Sequence, residues 1–223
     1  MRTNLVTNID CWLGIPICFI LTVVEKLRKV FSLKNMKGFK IKKILFLELS
    51  EIGSAILAYP AIERIKELFP QAELYFLIFE KNKEAIYVLN TLPKENILTI
   101  RDDNLILFLH DTLKNISKIR KKKVDVIIDL ELFARITSLL SYLSGARILV
   151  GFYRFCLEGL YRGELLTHKV SYNPYIHISR NFLSLVNSSR YTYKDELFLK
   201  ERPSERLISA PKIYSSDNRR AKI

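Results

Sequence analysis

Three stretches of this chain are dominated by apolar residues: 44–49 (ILFLEL), 74–79 (LYFLIF) and 124–130 (VDVIIDL). A strand with one wet face alternates apolar and polar side chains, so runs of this kind and length belong to strands covered on both faces. Between them the spacing changes. Ile62, Ile65 and Leu68 recur at three-residue intervals, with Glu63, Arg64, Lys66 and Glu67 among them, which is one apolar stripe of a helix. Buried strands alternating with amphipathic helices leave little choice: a parallel sheet with helices packed above and below.

The remaining elements follow by the same reading. Strands are expected at 96–100, 147–152 and 165–170. Helices are expected at 54–69, 82–89, 112–121, 133–143 and 175–186. Pro60 should kink or restart the first of these, and Gly145 is placed to cap the fourth. The fold class is therefore α/β, one Rossmann-like domain over residues 43–190. Residues 191–223 are sparse in apolar side chains, carry prolines at 203 and 211, and read as a linker or tail.

Charge is distributed unevenly along the 223 residues. The net charge is +13, yet residues 25–43 hold eight Lys/Arg against one Glu, and residues 200–223 hold seven against three acids. The basic character lies in the flanks, which argues against a nucleic-acid-binding core. Cys11, Cys18 and Cys156 form no C-x-x-C pair and no framework, as in proteins of reducing compartments. His110, His168 and His177 lack ligand spacing, so no metal and no cofactor is expected.

Residues 11–24, CWLGIPICFILTVV, form an apolar run interrupted by Gly14 and Pro16. It is shorter than the roughly 20 residues a bilayer-spanning helix needs. Lysine-rich sequence follows at once. An apolar segment leading into a polybasic stretch is the arrangement of an interfacial anchor on anionic lipid; the alternative is a helix packed on its own domain. Residues 1–42 thus read as a membrane-surface segment and linker, with the following domain on the cytoplasmic side.

The turn after the first strand, Ser50-Glu51-Ile52-Gly53-Ser54, carries one glycine. It fits neither the dinucleotide fingerprint nor a Walker A loop. Gly53 either permits the turn or lets a sugar or anion approach the backbone at a helix start.

The run 44–62 (ILFLELSEIGSAILAYPAI), the helix ending ELFP at 67–70 and residues 125–135 (DVIIDLELFAR) resemble the start of the ADP-heptose:lipopolysaccharide heptosyltransferases, glycosyltransferase family nine. Ser144-Gly-Ala-Arg147, Val150-Gly-Phe152 and Tyr175-Ile-His-Ile-Ser-Arg180 continue the resemblance in order and spacing. It implies a GT-B fold, two Rossmann-like domains with the active site between them. Residues 43–190 would correspond to the acceptor-side, N-terminal domain. The donor-binding domain, for an ADP-heptose-like nucleotide-sugar, would lie outside this chain or on a separate subunit.

The implied reaction is transfer of a sugar to a lipopolysaccharide core or other glycolipid, at the inner face of the bacterial inner membrane. The aspartate typical of the family after the turn glycine is here Ser54, which cannot serve as a base unaided. Glu51 is the candidate catalytic base in its place. Ser50, Gly53, Ser54, Asp129, Glu131, Arg135 and His177 are the candidate acceptor-binding residues. Arg154, Tyr161 and Arg162 line a loop that could meet phosphorylated lipid-linked sugar. A non-catalytic glycolipid-binding or scaffold protein at the membrane is the alternative.

Overall fold

The structure is a computed structural model, and it describes residues 14–31, 39–49, 51–132, 134–153 and 162–190. The elements in chain order are α1 (Gly14–Phe31), β1 (Lys43–Leu47), α2 (Ile52–Leu57), α3 (Tyr59–Leu68), β2 (Glu73–Phe79), α4 (Lys83–Leu89), β3 (Ile97–Ile100), α5 (Leu105–Lys122), β4 (Val126–Asp129), α6 (Arg135–Leu143), β5 (Ile148–Phe152), β6 (His168–Val170) and α7 (Ile178–Ser188). Short 3₁₀ turns precede α4 and β3.

The six strands form a single sheet in the order β3-β2-β1-β4-β5-β6, and every pairing is parallel. The chain builds outward from β1 to β3, then returns to the other side of β1 with β4. That reversal between β1 and β4 is the switch point of the sheet, where open α/β proteins form a crevice beyond the carboxyl ends of the strands.

Strand periodicity divides the core into two layers. Ile44 and Phe46, Phe76 and Ile78, Val126 and Ile128 face one side, against Ala58, Ala61, Ile62 and Ile65 near and on α3 and Phe182, Leu185 and Val186 of α7. Leu45 and Leu47, Tyr75 and Leu77, Ile127 and Leu149 face the other, against Phe108, Ile116 and Ile119 of α5 and Leu140 of α6. Both faces are covered, as the apolar runs require.

The break at Pro60 is found: α2 ends at Leu57 and α3 restarts at Tyr59, with the proline in its first turn, where it breaks no hydrogen bond. Gly145 adopts φ +78° after α6, the left-handed cap expected of it. One boundary moves substantially. The helix expected from residue 112 begins at Leu105, where Asn104 caps it by accepting a hydrogen bond from the Leu107 N–H at 2.9 Å.

Helix α1 lies on the outside of α6 and runs alongside it in the same direction. Gly14 sits against the Arg135 stem, so that an added Cβ would be 3.0 Å from its Cδ. Cys18 packs with Leu139 and Leu165. Glu25 accepts a hydrogen bond from the Tyr142 hydroxyl at 2.9 Å. No helix among the described residues is long and apolar enough to cross a membrane. Residues 191–223, read as a tail, lie outside the described residues.

Candidate active site at the sheet switch point

At the switch point Leu47 of β1 is in register with Asp129 of β4. Beyond β1 the backbone stays pinned on both sides: the Glu48 N–H donates to the Leu77 carbonyl, and the Leu130 N–H to the Leu47 carbonyl, each at 3.0 Å. The side chains that follow the two strands therefore meet just beyond the switch point.

Two carboxyls meet there. Glu48 and Glu131 are both buried, hydrogen-bonded to each other, and Glu131 Oε1 also accepts the Leu49 N–H at 2.6 Å. Burial, then the neighbouring charges of Glu48 and Asp129, push the Glu131 carboxyl up to about 9. Like charges in a low-dielectric site cannot both ionise cheaply, so the pair retains a proton at neutral pH. Ser54 connects the pair to the rim. Its hydroxyl lies 3.0 Å from Glu48 Oε1 and 2.9 Å from the Glu51 carbonyl, and it is only partly buried.

Beside the acid pair stands an ion pair. Arg162 bonds Asp129 through Nη2, which also donates to the Thr137 hydroxyl at 2.8 Å, while Nη1 donates to the Glu131 carbonyl at 2.8 Å. Asp129 further accepts the Thr137 hydroxyl at 3.0 Å and the Glu131 N–H at 3.1 Å. Burial pushes the Asp129 carboxyl up, and the Arg162 charge opposes it. This ties β4, the loop after it, the start of α6 and the segment before β6 into one rigid floor.

Several expectations are corrected by these positions. Asp129 does not face the cleft, since it is fully enclosed and its oxygens are occupied. Arg162 is 4% exposed and committed to Asp129, so it does not line an open loop. Arg135, expected to bind the acceptor, is the first residue of α6 and is buried under α1 at Gly14. The helix starts before the glycine, at Ile52, and Gly53 has no positive φ; it is not there to permit a turn. A Cβ on Gly53 would meet nothing within 4 Å.

Glu51 is exposed at the N-cap of α2 and makes no side-chain cap bond. His177 is the N-cap of α7 and accepts the Ser179 N–H through Nδ1 at 3.3 Å, so its ring serves its own helix. Ser50, Arg154 and Tyr161 lie outside the described residues. Among the described residues no group of three His, Cys, Asp or Glu side chains could hold a metal ion.

Glu48 and Thr137 join the site from outside the expected set. The signal for Glu48 is a lone charge within an otherwise apolar strand run. Nothing local marks Thr137.

No protein-family model matches the chain, and no curated protein matches it in sequence. Solved structures do match it. The E. coli ADP-heptose lipopolysaccharide heptosyltransferase II superposes with a TM-score of 0.60 at 14% identity, over 78% of this chain and 47% of its own length. An E. coli heptosyltransferase bound to ADP-2-deoxy-2-fluoro heptose gives 0.55 at 13%, over 68% and 49%. A family-nine glycosyltransferase from Veillonella parvula gives 0.52 at 17%, over 67% and 42%. This is a heptosyltransferase-type fold. The chain spans about half the length of the heptosyltransferases it matches. The resemblance carried by residues 44–62 and 125–135 is thus accompanied by a shared three-dimensional fold.

Proposed function

We propose that this chain is the acceptor-side half of a glycosyltransferase that moves a sugar from a nucleotide-sugar, of the ADP-heptose kind, to a lipopolysaccharide-type acceptor. The observation that carries the reading is the open ground over Gly53 at the switch point, flanked by the exposed Glu51 and floored by buried carboxyls. A backbone without a side chain lets a sugar ring come close. A donor-binding lobe, in the same polypeptide or another, would form the facing wall. The fold likeness to heptosyltransferases bound to ADP and to an ADP-heptose analogue supports such a donor.

In this reading the acceptor hydroxyl oxygen attacks the anomeric carbon as the nucleoside diphosphate leaves from the opposite side, inverting the centre. Glu51 takes the hydroxyl proton. Ser54 holds the acceptor by hydrogen bonding, backed by Glu48. The floor ion pair keeps these groups in place and touches no substrate. The acceptor being lipid-linked, the protein would work as a peripheral protein at the inner face of the inner membrane.

The serine at position 54 favours a second reading, a glycolipid-binding protein without turnover. One substitution tests the shared part of both. Gly53→Leu should leave the fold intact, because Gly53 is exposed and a Cβ there enters open space. It should abolish saturable binding of a soluble lipopolysaccharide-core oligosaccharide, read by titration calorimetry. Undiminished binding by the leucine variant would remove the crevice from the account. Transfer from ADP-heptose once a donor lobe is supplied, read as ADP release, separates the enzyme from the binding protein.

A further inference from the structure

Helix α1 has two unlike faces. Gly14, Cys18, Thr22 and Glu25 point inward, at spacings of four, four and three residues, and are specifically fitted. The Thr22 hydroxyl donates to the Cys18 carbonyl at 2.6 Å and accepts the Glu164 N–H at 2.9 Å. Gly163, at φ +72°, passes so close that an added Cβ would lie 2.8 Å from the Thr22 hydroxyl. The helix is thus docked by small and polar residues rather than by its large apolar ones.

Those large residues face away. Ile15, Phe19, Ile20, Val23, Val24 and Leu27 are between 42% and 60% exposed. Positions 20, 23, 24 and 27 lie in one helical stripe. A soluble helix docked on a domain places its apolar stripe inward; this one is turned outward. The same helix continues into exposed Lys26 and Arg28, and exposed Lys40 and Lys42 stand just before β1. Among residues 25–43 the only acid is Glu25, which is half-buried and bonded to Tyr142.

We propose that the outward face of α1 is the surface by which this protein rests on an anionic phospholipid bilayer, lying in the plane of the interface with its cationic end against the headgroups. The proposal deepens the membrane part of the functional reading above and depends on it only for its biological sense. No described helix is long and apolar enough to span, and one face of α1 is docked on α6 and on the segment around Gly163–Leu165. At 18 residues the helix is about 27 Å long, long enough to lie its stripe along the acyl boundary. Charge selects the occupant. A second copy packed on the same face through a two-fold axis would carry the cationic stretch of both chains into one interface, whereas an anionic bilayer neutralises it.

The test is sedimentation of the full chain with vesicles of phosphatidylcholine alone and with about 30% phosphatidylglycerol added, over a salt series. Binding is expected on the mixed vesicles, with a blue shift of the emission of Trp12, the single tryptophan, two residues before α1. Phe19→Ser with Val23→Ser, both exposed and free to change without disturbing the docked face, should lower partitioning at least tenfold. Melting temperature and oligosaccharide binding should stay unchanged. Lys26→Gln with Arg28→Gln should lower it about fivefold per charge and flatten the salt dependence. Absence of vesicle binding, equal binding to uncharged vesicles, or a dimer in solution that the serine variants dissociate would each overturn the proposal. Loss of oligosaccharide binding by Gly53→Leu with vesicle binding intact would leave this surface standing, so the two readings fail separately.

Discussion

Arg162 and Asp129 illustrate how a buried charge is tolerated. The guanidinium reaches a carboxylate and also a hydroxyl and a carbonyl, the last two each at 2.8 Å, and the carboxylate in turn meets a hydroxyl and an N–H. Removing one partner leaves the other charged and dry, so Arg162→Met should cost about 3–5 kcal/mol, while the double change with Asp129→Asn should recover part of that. Urea melts of the three variants measure it. Glu131 titrates in the opposite sense to a salt-bridged acid. Its folded-state value of about 9 lies above the ordinary 4.5, so the stability it contributes is complete below pH 4.5 and is lost as pH rises through about 9. Glu131→Gln keeps an oxygen for the Leu49 N–H and cannot ionise. Its melting temperature should fall less than that of the parent between pH 7 and 10, and a parallel decline in both would show that Glu131 is not the group responsible. Glu48 was legible only as an anomaly in an apolar run, and its pairing with Glu131 across the sheet was not legible at all.

At the scale of elements, periodicity sufficed where one face of a segment is apolar. The strand runs and the Pro60 break are cases in point. It failed over residues 105–111. There Leu105, Ile106 and Leu109 are exposed while Phe108 is buried, so apolar residues on both faces hide the helical repeat and the start of α5 went unseen. Helix α1 is a related case, because its apolar run gave no sign of which face docks. The docking predicts a sharp sensitivity at Gly163. Alanine there would take a left-handed φ and a Cβ 2.8 Å from the Thr22 hydroxyl and 3.0 Å from the Cys18 carbonyl. A loss of about 1–3 kcal/mol in chemical denaturation is expected, with α1 loosened from α6. Gly53→Ala should act oppositely and stabilise by about 0.5–1 kcal/mol, since the helix gains a better former and nothing is displaced.

For the whole molecule, the proposed activity requires two walls and the described residues form one. By itself the chain should bind acceptor oligosaccharide yet release no ADP from a nucleotide-sugar. With a donor lobe supplied, Glu51→Gln should lower transfer by about 10²–10⁴-fold, the usual worth of a positioned base. Undiminished turnover by that variant would remove Glu51 from the chemistry and turn attention to the Glu48–Glu131 pair behind Ser54.

Repeat spacing along the chain determined the strands, the helices and hence a parallel sheet covered on both sides, because hydrophobic burial acts on local pattern. The wording of residues 44–62 also pointed to the fold shared with the heptosyltransferase structures. Tertiary structure alone decided which distant groups became neighbours: that Glu131 returns beneath Leu49, that Arg162 neutralises Asp129 instead of greeting a ligand, and that α1 turns its apolar stripe outward. Those outcomes depend on strand order and on which helix face finds a fitted partner, and neither is written in the period of any single segment.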